Sequence, residues 1–274
     1  MESLGNARNL SEREQLRQQA MSLRPILLPY QRDFVADAHR VKVAVKSRRV
    51  GFTFAVAAEA AFVAAGPKNA GGMDVWYMHL AQRDTRDFIA VAARWAKHLE
   101  QAMVAIGNTR AAAAFELEDG VLETEGAGGR LTIPGAQESP LLYRDSKNNI
   151  RSVMVTSIRF KSGHKVTGIP KDPNVLRGKD GYAIFDEAAL LPLDECFAAA
   201  SAFFMSMGTP GRMSLISTQR GEGNPFNKLV VSIAEGRAES GTSLHRVTLP
   251  QAVDQGFYAR DCFLRGKPWS QEEE

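Results

Sequence analysis

The hydrophobic pattern along this chain switches between two periods. Short apolar runs bounded by glycine, proline or charge predict buried strands over 41–45, 73–78, 153–160, 182–185, 213–217 and 244–249. Helical stretches lie between them. Pro29 opens a short helix predicted over 30–39. Residues 53–65 are apolar on nearly every face, as a helix buried against a sheet must be, and Gly66-Pro67 closes them. Residues 81–99 carry Phe88, Val91, Trp95 and Leu99 on one stripe. Ser11-Glu12-Arg13-Glu14 is a capping box, predicting a polar helix over 12–22. Strands alternating with helices predict an α/β fold, a mostly parallel sheet with helices on both faces.

The alternation breaks over 104–150. There 115–118 and 121–123 flank Asp119-Gly120, which predicts a hairpin within an inserted, lid-like excursion. At the other end, Ser270-Gln271-Glu272-Glu273-Glu274 repeats the capping-box pattern with no helix body behind it, as expected of a segment cut from a longer chain.

Composition narrows the class without deciding it. With 274 residues, 44% hydrophobic and 24% charged, the chain has ordinary globular balance. Cys196 and Cys262 share no metal or redox spacing, which fits a reducing compartment. No secretory signal is visible, and the longest apolar run, 54–65, is too short to span a bilayer and contains Glu59. A cytoplasmic protein is expected. The net charge of +3 hides an asymmetry. Arg144, Lys147, Arg151, Arg159, Lys161, Lys165, Lys171, Arg177 and Lys179 face only Asp145 and Asp172, so that segment is +7 and the rest −4. Such a segment suits either a solvated face or a polyanion partner, nucleic acid above all.

The candidate chemistry lies in two short stretches. Lys46-Ser47-Arg48-Arg49-Val50-Gly51-Phe52-Thr53 follows the first strand and opens the apolar helix. In a G-x-x-x-x-G-K-[ST] loop, backbone amides cradle phosphates and the Lys neutralises them. Here Gly51 and Thr53 keep the later positions, Phe52 stands where that Lys is usual, and Lys46 replaces the first Gly. A flexible Lys at the start of the loop can still reach across the phosphates. Thr53 can offer its hydroxyl to Mg²⁺, and Arg48 or Arg49 can meet the γ-phosphate.

The second stretch, Tyr182-Ala183-Ile184-Phe185-Asp186-Glu187, puts two acids at the carboxyl end of a strand, where α/β sheets bind ligands. Asp186 would hold Mg²⁺ through water, and Glu187 would orient or deprotonate the attacking water. Ser217-Thr218-Gln219 ends a third strand where a γ-phosphate sensor would lie, before a loop with Gly221, Gly223, Asn224 and Pro225. Each stretch alone also reads as a basic loop, a surface acid pair or a polar turn. In this order and context they point to a nucleotide-binding fold with ATP and Mg²⁺ as ligands. A helicase-like ATPase and a non-hydrolysing nucleotide-binding scaffold stay open on these residues.

With Leu176-Arg177-Gly178 shortly before Phe185-Asp186-Glu187-Ala188-Ala189, and Ile216-Ser217-Thr218 before Asn224-Pro225-Phe226, the chain from about residue 28 to 269 resembles the ATPase part of a tailed-phage large terminase subunit, most of all the Mu-like branch. A lysine relocated to the start of the loop is a habit of that family. The resemblance implies a three-layer P-loop NTPase of the ASCE type, with an extra strand between the two nucleotide motifs and a lid subdomain. It divides the chain into an N-terminal helical arm (1–27), an ATPase domain (28–250, with 104–150 inserted) and a linker (251–274) towards a nuclease domain. It implies that Gln31, beside Tyr30, reads adenine, that Arg48 or Arg49 acts within the subunit, and that Arg177 is presented to a neighbour's nucleotide. Ser217 and Thr218 would couple hydrolysis to DNA movement, although Gln219 departs from the proline many members carry there. The implied activity is ATP-driven packaging of double-stranded DNA into a procapsid, in a homo-oligomeric ring that meets portal protein and the small terminase subunit, and nuclease activity is not expected of this segment.

Overall fold

The computed structural model describes residues 26–204, 211–238, 240–264 and 266; the predicted helix over 12–22 and the capping box at Ser270 lie outside them. Among the described residues ten strands form, in chain order β1 (Val41–Lys46), β2 (Val75–Met78), β3 (Val121–Gly126), β4 (Gly129–Pro134), β5 (Ala136–Arg144), β6 (Ile150–Arg159), β7 (Lys165–Ile169), β8 (Tyr182–Asp186), β9 (Arg212–Ser217) and β10 (Thr242–Val247). Eight of them make one sheet in the order β10-β1-β9-β8-β2-β7-β6-β5. From β10 to β7 every pairing is parallel, while β6 and β5 add an antiparallel edge. Strand β9 lies between β1 and β8, the extra strand the resemblance implied.

The helices are α1 (Pro29–Ala36), α2 (Phe52–Ala65), α3 (Gln82–Ala105), α4 (Thr109–Phe115), α5 (Leu193–Phe204), α6 (Pro225–Ala234), α7 (Leu249–Asp254) and α8 (Phe257–Leu264). Two apolar clusters sandwich the sheet. One joins α1, α2 and α3 to one face; the other joins α5, α6 and the turn at 173–176 to the opposite face. Helix α2 is buried along almost its whole length, as its unbroken apolar sequence required. Among the described residues no helix is long and apolar enough to cross a membrane.

Several sequence expectations need correction. Helix α1 stops at Ala36 rather than 39, because Asp37 turns extended and its carboxylate takes the His39 amide. Strand β10 stops at Val247, because Thr248 and Gln251 form a capping box that starts α7 before Pro250. The predicted hairpin about Asp119-Gly120 does not form. Leu117 bridges to Phe160 instead, and the turn falls at Ala127-Gly128, between β3 and β4. Within 104–150, expected to be irregular, α4 and three strands form, and β5 joins the main sheet.

The base of the sheet holds buried charge. Glu59 of α2 meets Lys42 Nζ at 2.6 Å and Arg212 Nη2 at 2.8 Å, and accepts the Tyr182 hydroxyl at 3.0 Å. Lys42 also donates to the Phe34 carbonyl at 2.9 Å. Burial lowers the Lys42 pKa and Glu59 opposes the shift. This network ties α2, the helix that follows the Lys46 loop, to β1, β8 and β9 at the end remote from the loop.

Candidate functional site

Strand β1 ends at Lys46, and the chain then turns sharply into α2. Arg49 and Gly51 hold left-handed φ values of 61° and 72° on either side of Val50. Left-handed residues in such a turn are the backbone pattern from which anion-binding nests of successive amides are built. Gly51 has a second constraint, since a Cβ there would stand 2.8 Å from Gln31 Nε2. The loop is anchored from beneath. Val50 and Phe52 are buried, Phe52 stacks on Tyr30 with centroids 5.9 Å apart, and the Tyr30 hydroxyl donates to the Val50 carbonyl at 2.5 Å. Burial pushes the Tyr30 hydroxyl up to about 12, so it stays a donor. Phe52, where a lysine is usual, is therefore a core anchor.

The two predicted motifs converge. Lys46 Nζ donates to Glu187 Oε1 at 2.9 Å, and Thr53 Oγ1 donates to Asp186 Oδ2 at 2.9 Å. The Lys46 side chain is 7% exposed and Glu187 27%, so the ammonium is sheltered while the carboxylate reaches solvent. Glu187 adopts a left-handed φ of 53°, and its amide donates to Asp186 Oδ1. Backbone strain of this kind in a non-glycine residue collects at functional sites.

Ser217 and Asn224 brace the turn after Glu187. Ser217 Oγ accepts the Ala189 amide at 3.1 Å, and Asn224 Nδ2 donates to the Ala189 carbonyl at 2.9 Å. Thr218 lines a cleft of about 440 Å³ with Lys46, Ser47, Arg48 and Arg246, above the ends of β1, β9 and β10. Arg49 is exposed at the rim of the loop.

Gln31 is 3% exposed, with Nε2 on the Gly51 carbonyl and Oε1 accepting the Leu28 amide. It clamps α1 to the loop and keeps one amide hydrogen. Arg177 is not brought to Lys46. It sits at the opposite edge, lining a cavity of about 630 Å³ with the β5–β6 tip.

Part of the basic segment's charge is compensated or sheltered within the fold. Arg159 pairs with Glu118, Lys161 with Glu116, and Lys165 and Lys179 lie over Trp76. Strand β6 carries Arg151 about 26 Å from Arg159, at ~3.3 Å per residue. Arg144 donates to the Asn148 carbonyl at 3.1 Å without an ion pair, and among the described residues of the segment Lys147, Lys171 and Arg177 have neither an ion pair nor a ring beneath them, all towards the β5–β6 tip or its neighbouring loop.

Sequence reasoning missed Tyr77, whose hydroxyl donates to Asp186 Oδ2 at 2.9 Å, and Arg246 in the cleft. Tyr77 lies in the apolar run Val75–Met78, where an aromatic reads as core. Arg246 reads as a surface cation on an edge strand. No signal in one sequence separates either from the commoner role.

No family model matches the chain. It is 33% identical over 252 residues to "Probable terminase, large subunit gp28" of Escherichia phage Mu, covering 91% of this chain and 39% of that protein. It is 32% identical over 250 residues to "Mu-like prophage FluMu protein gp28" of Haemophilus influenzae, covering 91% of this chain and 41% of that protein. The chain thus spans about two fifths of the curated relatives it matches. In fold it is similar to the large terminase ATPase domain of Thermus phage P74-26, with a TM-score of 0.50 at 16% identity over 88% of each chain. An arginine mutant of that domain gives 0.51 at 15% identity over 92% of this chain and 91% of that one.

Proposed function

From the similarity of this chain in sequence to Mu-like large terminase subunits and in fold to terminase ATPase domains, we propose that it is the ATP-hydrolysing part of a motor that packages double-stranded DNA. The observation that carries the proposal is the meeting of Lys46 with Glu187 and of Thr53 with Asp186, each at 2.9 Å. Residues 28–250 are assigned to the ATPase unit, with 104–150 as its insertion.

ATP lies along the loop Lys46–Thr53, where converging amides and Lys46 neutralise its phosphates. Phosphate oxygens compete with Glu187 for the Lys46 ammonium and so release the carboxylate to the water that attacks the γ-phosphate. Arg48 and Arg49 meet developing charge from the rim. Arg177, at the far edge, is assigned to the neighbouring subunit in a homo-oligomeric ring. Gln31 holds the loop beside the adenine, and Ser217, Thr218 and Asn224 carry the strand end that senses the γ-phosphate. Among the described residues no group of three or more His, Cys, Asp or Glu forms a metal cage. The hydroxyl–carboxylate pair Thr53–Asp186 instead suits Mg²⁺, a hard cation that takes one or two protein oxygens and fills its shell with phosphate and water. Held by these residues, Mg²⁺ would supply charge neutralisation for the phosphates.

Lys46→Ala is expected to weaken ATP binding at least ~30-fold, the lower bound for truncating one partner of a sheltered charge contact. Titration with a fluorescent ATP analogue measures it, and wild-type affinity in a folded variant would sink the nucleotide assignment.

The DNA contact is assigned to the unpaired cations Lys147 and Lys171 near the β5–β6 tip. Phosphate contacts make duplex affinity fall with salt and independent of sequence, and each lost contact reduces the log–log slope by ~0.9. Duplex affinity that stays level as salt rises, or a slope unchanged in Lys147→Glu/Lys171→Glu, would refute this surface. Portal protein and the small terminase subunit are the further proposed partners, met in the host cytoplasm.

A further inference from the structure

Resting on the ATPase reading above, we propose that Tyr77 is a positioning residue of the acidic centre, its hydroxyl fixing the Asp186 carboxylate so that Thr53 and Asp186 face a metal ion together. Tyr77 is 1% exposed in a strand whose four residues are all buried. Phenylalanine would fill that space equally well. A buried hydroxyl without a partner costs about 1–3 kcal/mol, so its presence calls for an acceptor. The acceptor is Asp186 Oδ2, at 2.9 Å.

Three donors from three parts of the fold locate this carboxylate. The Glu187 amide holds Oδ1 at 2.9 Å, while Thr53 Oγ1 and Tyr77 OH both donate to Oδ2 at 2.9 Å. Thr53 is half-buried at the start of α2, and its hydrogen bond can exchange with water or a cation. The Tyr77 bond comes from inside the core and cannot. The tyrosine ring is itself held, lying parallel to Phe88 of α3 with centroids 3.6 Å apart and planes at 4°. With both hydroxyl hydrogens turned to Oδ2, the Thr53 oxygen presents its lone pairs away from the carboxylate. A hard cation needs that orientation.

The test compares Tyr77→Phe with the wild-type chain, using Mn²⁺ as the metal probe. Mn²⁺ affinity is read by electron paramagnetic resonance in the presence of a non-hydrolysable ATP analogue. Partners standing behind a metal ligand are worth about 10- to 100-fold in metal affinity, so a loss in that range is expected. Metal-free analogue affinity and the unfolding midpoint should stay near wild type, and the Mg²⁺ needed for half-maximal ATPase should rise by a similar factor. A merely structural tyrosine would move the unfolding midpoint and leave the metal affinity alone. Equal Mn²⁺ affinity in the two proteins overturns the role of Tyr77 while leaving the ATPase reading intact. Failure of the wild-type chain to bind Mn²⁺ with the analogue overturns that reading itself, and the proposal with it.

Discussion

Glu187→Gln is expected to bind ATP with close to wild-type affinity and to hydrolyse it about 10²–10⁴ times more slowly, the range a positioned general base contributes. Glutamine keeps the shape and can still accept from Lys46, so the ammonium remains in place for phosphate. It cannot take a proton from water. The left-handed backbone at Glu187 and the brace from Ser217 and Asn224 through Ala189 hold the side chain at the mouth of the loop, so little reorganisation should accompany the change. Analogue binding and single-turnover hydrolysis, measured side by side, separate the two effects. Equal turnover in variant and wild type would mean that Glu187 is no base and would favour a nucleotide-binding scaffold.

The second large effect falls on stability, at the opposite end of the sheet. Glu59→Gln should cost about 3–5 kcal/mol near neutral pH, as expected when one partner is removed from a buried ion cluster. Lys42, buried, and Arg212, partly exposed, would then lose their shared carboxylate partner, leaving Asp37 as the remaining opposite charge on Lys42. Burial already depresses the Lys42 pKa against the pull of Glu59, and losing Glu59 deepens the depression. A lysine whose folded pKa lies below its unfolded value makes the unfolded chain bind more protons. The stability lost in the variant should therefore return as pH rises towards ~10, where unfolded lysine also loses its proton. Urea unfolding of both proteins across that range checks the sign. A deficit that stays constant or widens with pH would exclude the mechanism.

How far the sequence carried the structure depended on whether local chemistry or remote contacts decided each feature. Strands such as Tyr182–Asp186 were legible because parallel sheets bury both faces and leave continuous apolar runs ending in polar site residues. The convergence of Lys46 with Glu187 followed from strand order, since both lie at carboxyl ends of one parallel sheet. The hairpin was misplaced because Asp119-Gly120 has turn chemistry, yet Glu118 and Lys161 find backbone partners across from 159 and 116. Strand β5 escaped notice because Pro140 and alternating polar residues suit only an edge, which is where it lies. The charge sum over the basic segment overstates its free charge, because Glu116 and Glu118 pair with Lys161 and Arg159 and the Trp76 ring lies beneath Lys165 and Lys179.

The place of β1 in the sheet bears on how this protein reaches its native state. Its two neighbours are β9 and β10, so the strand that leads into Lys46 pairs only with segments made more than 160 residues later. Even Ser47, where the loop leaves the sheet, is tied by its amide to the carbonyl of Val247. A nascent chain therefore carries this strand with two bare edges until β9 and β10 have been made. Non-local parallel pairing of this kind is slow and exposes aggregation-prone surface. The Lys46 loop gains this last anchor only when β10 closes the edge.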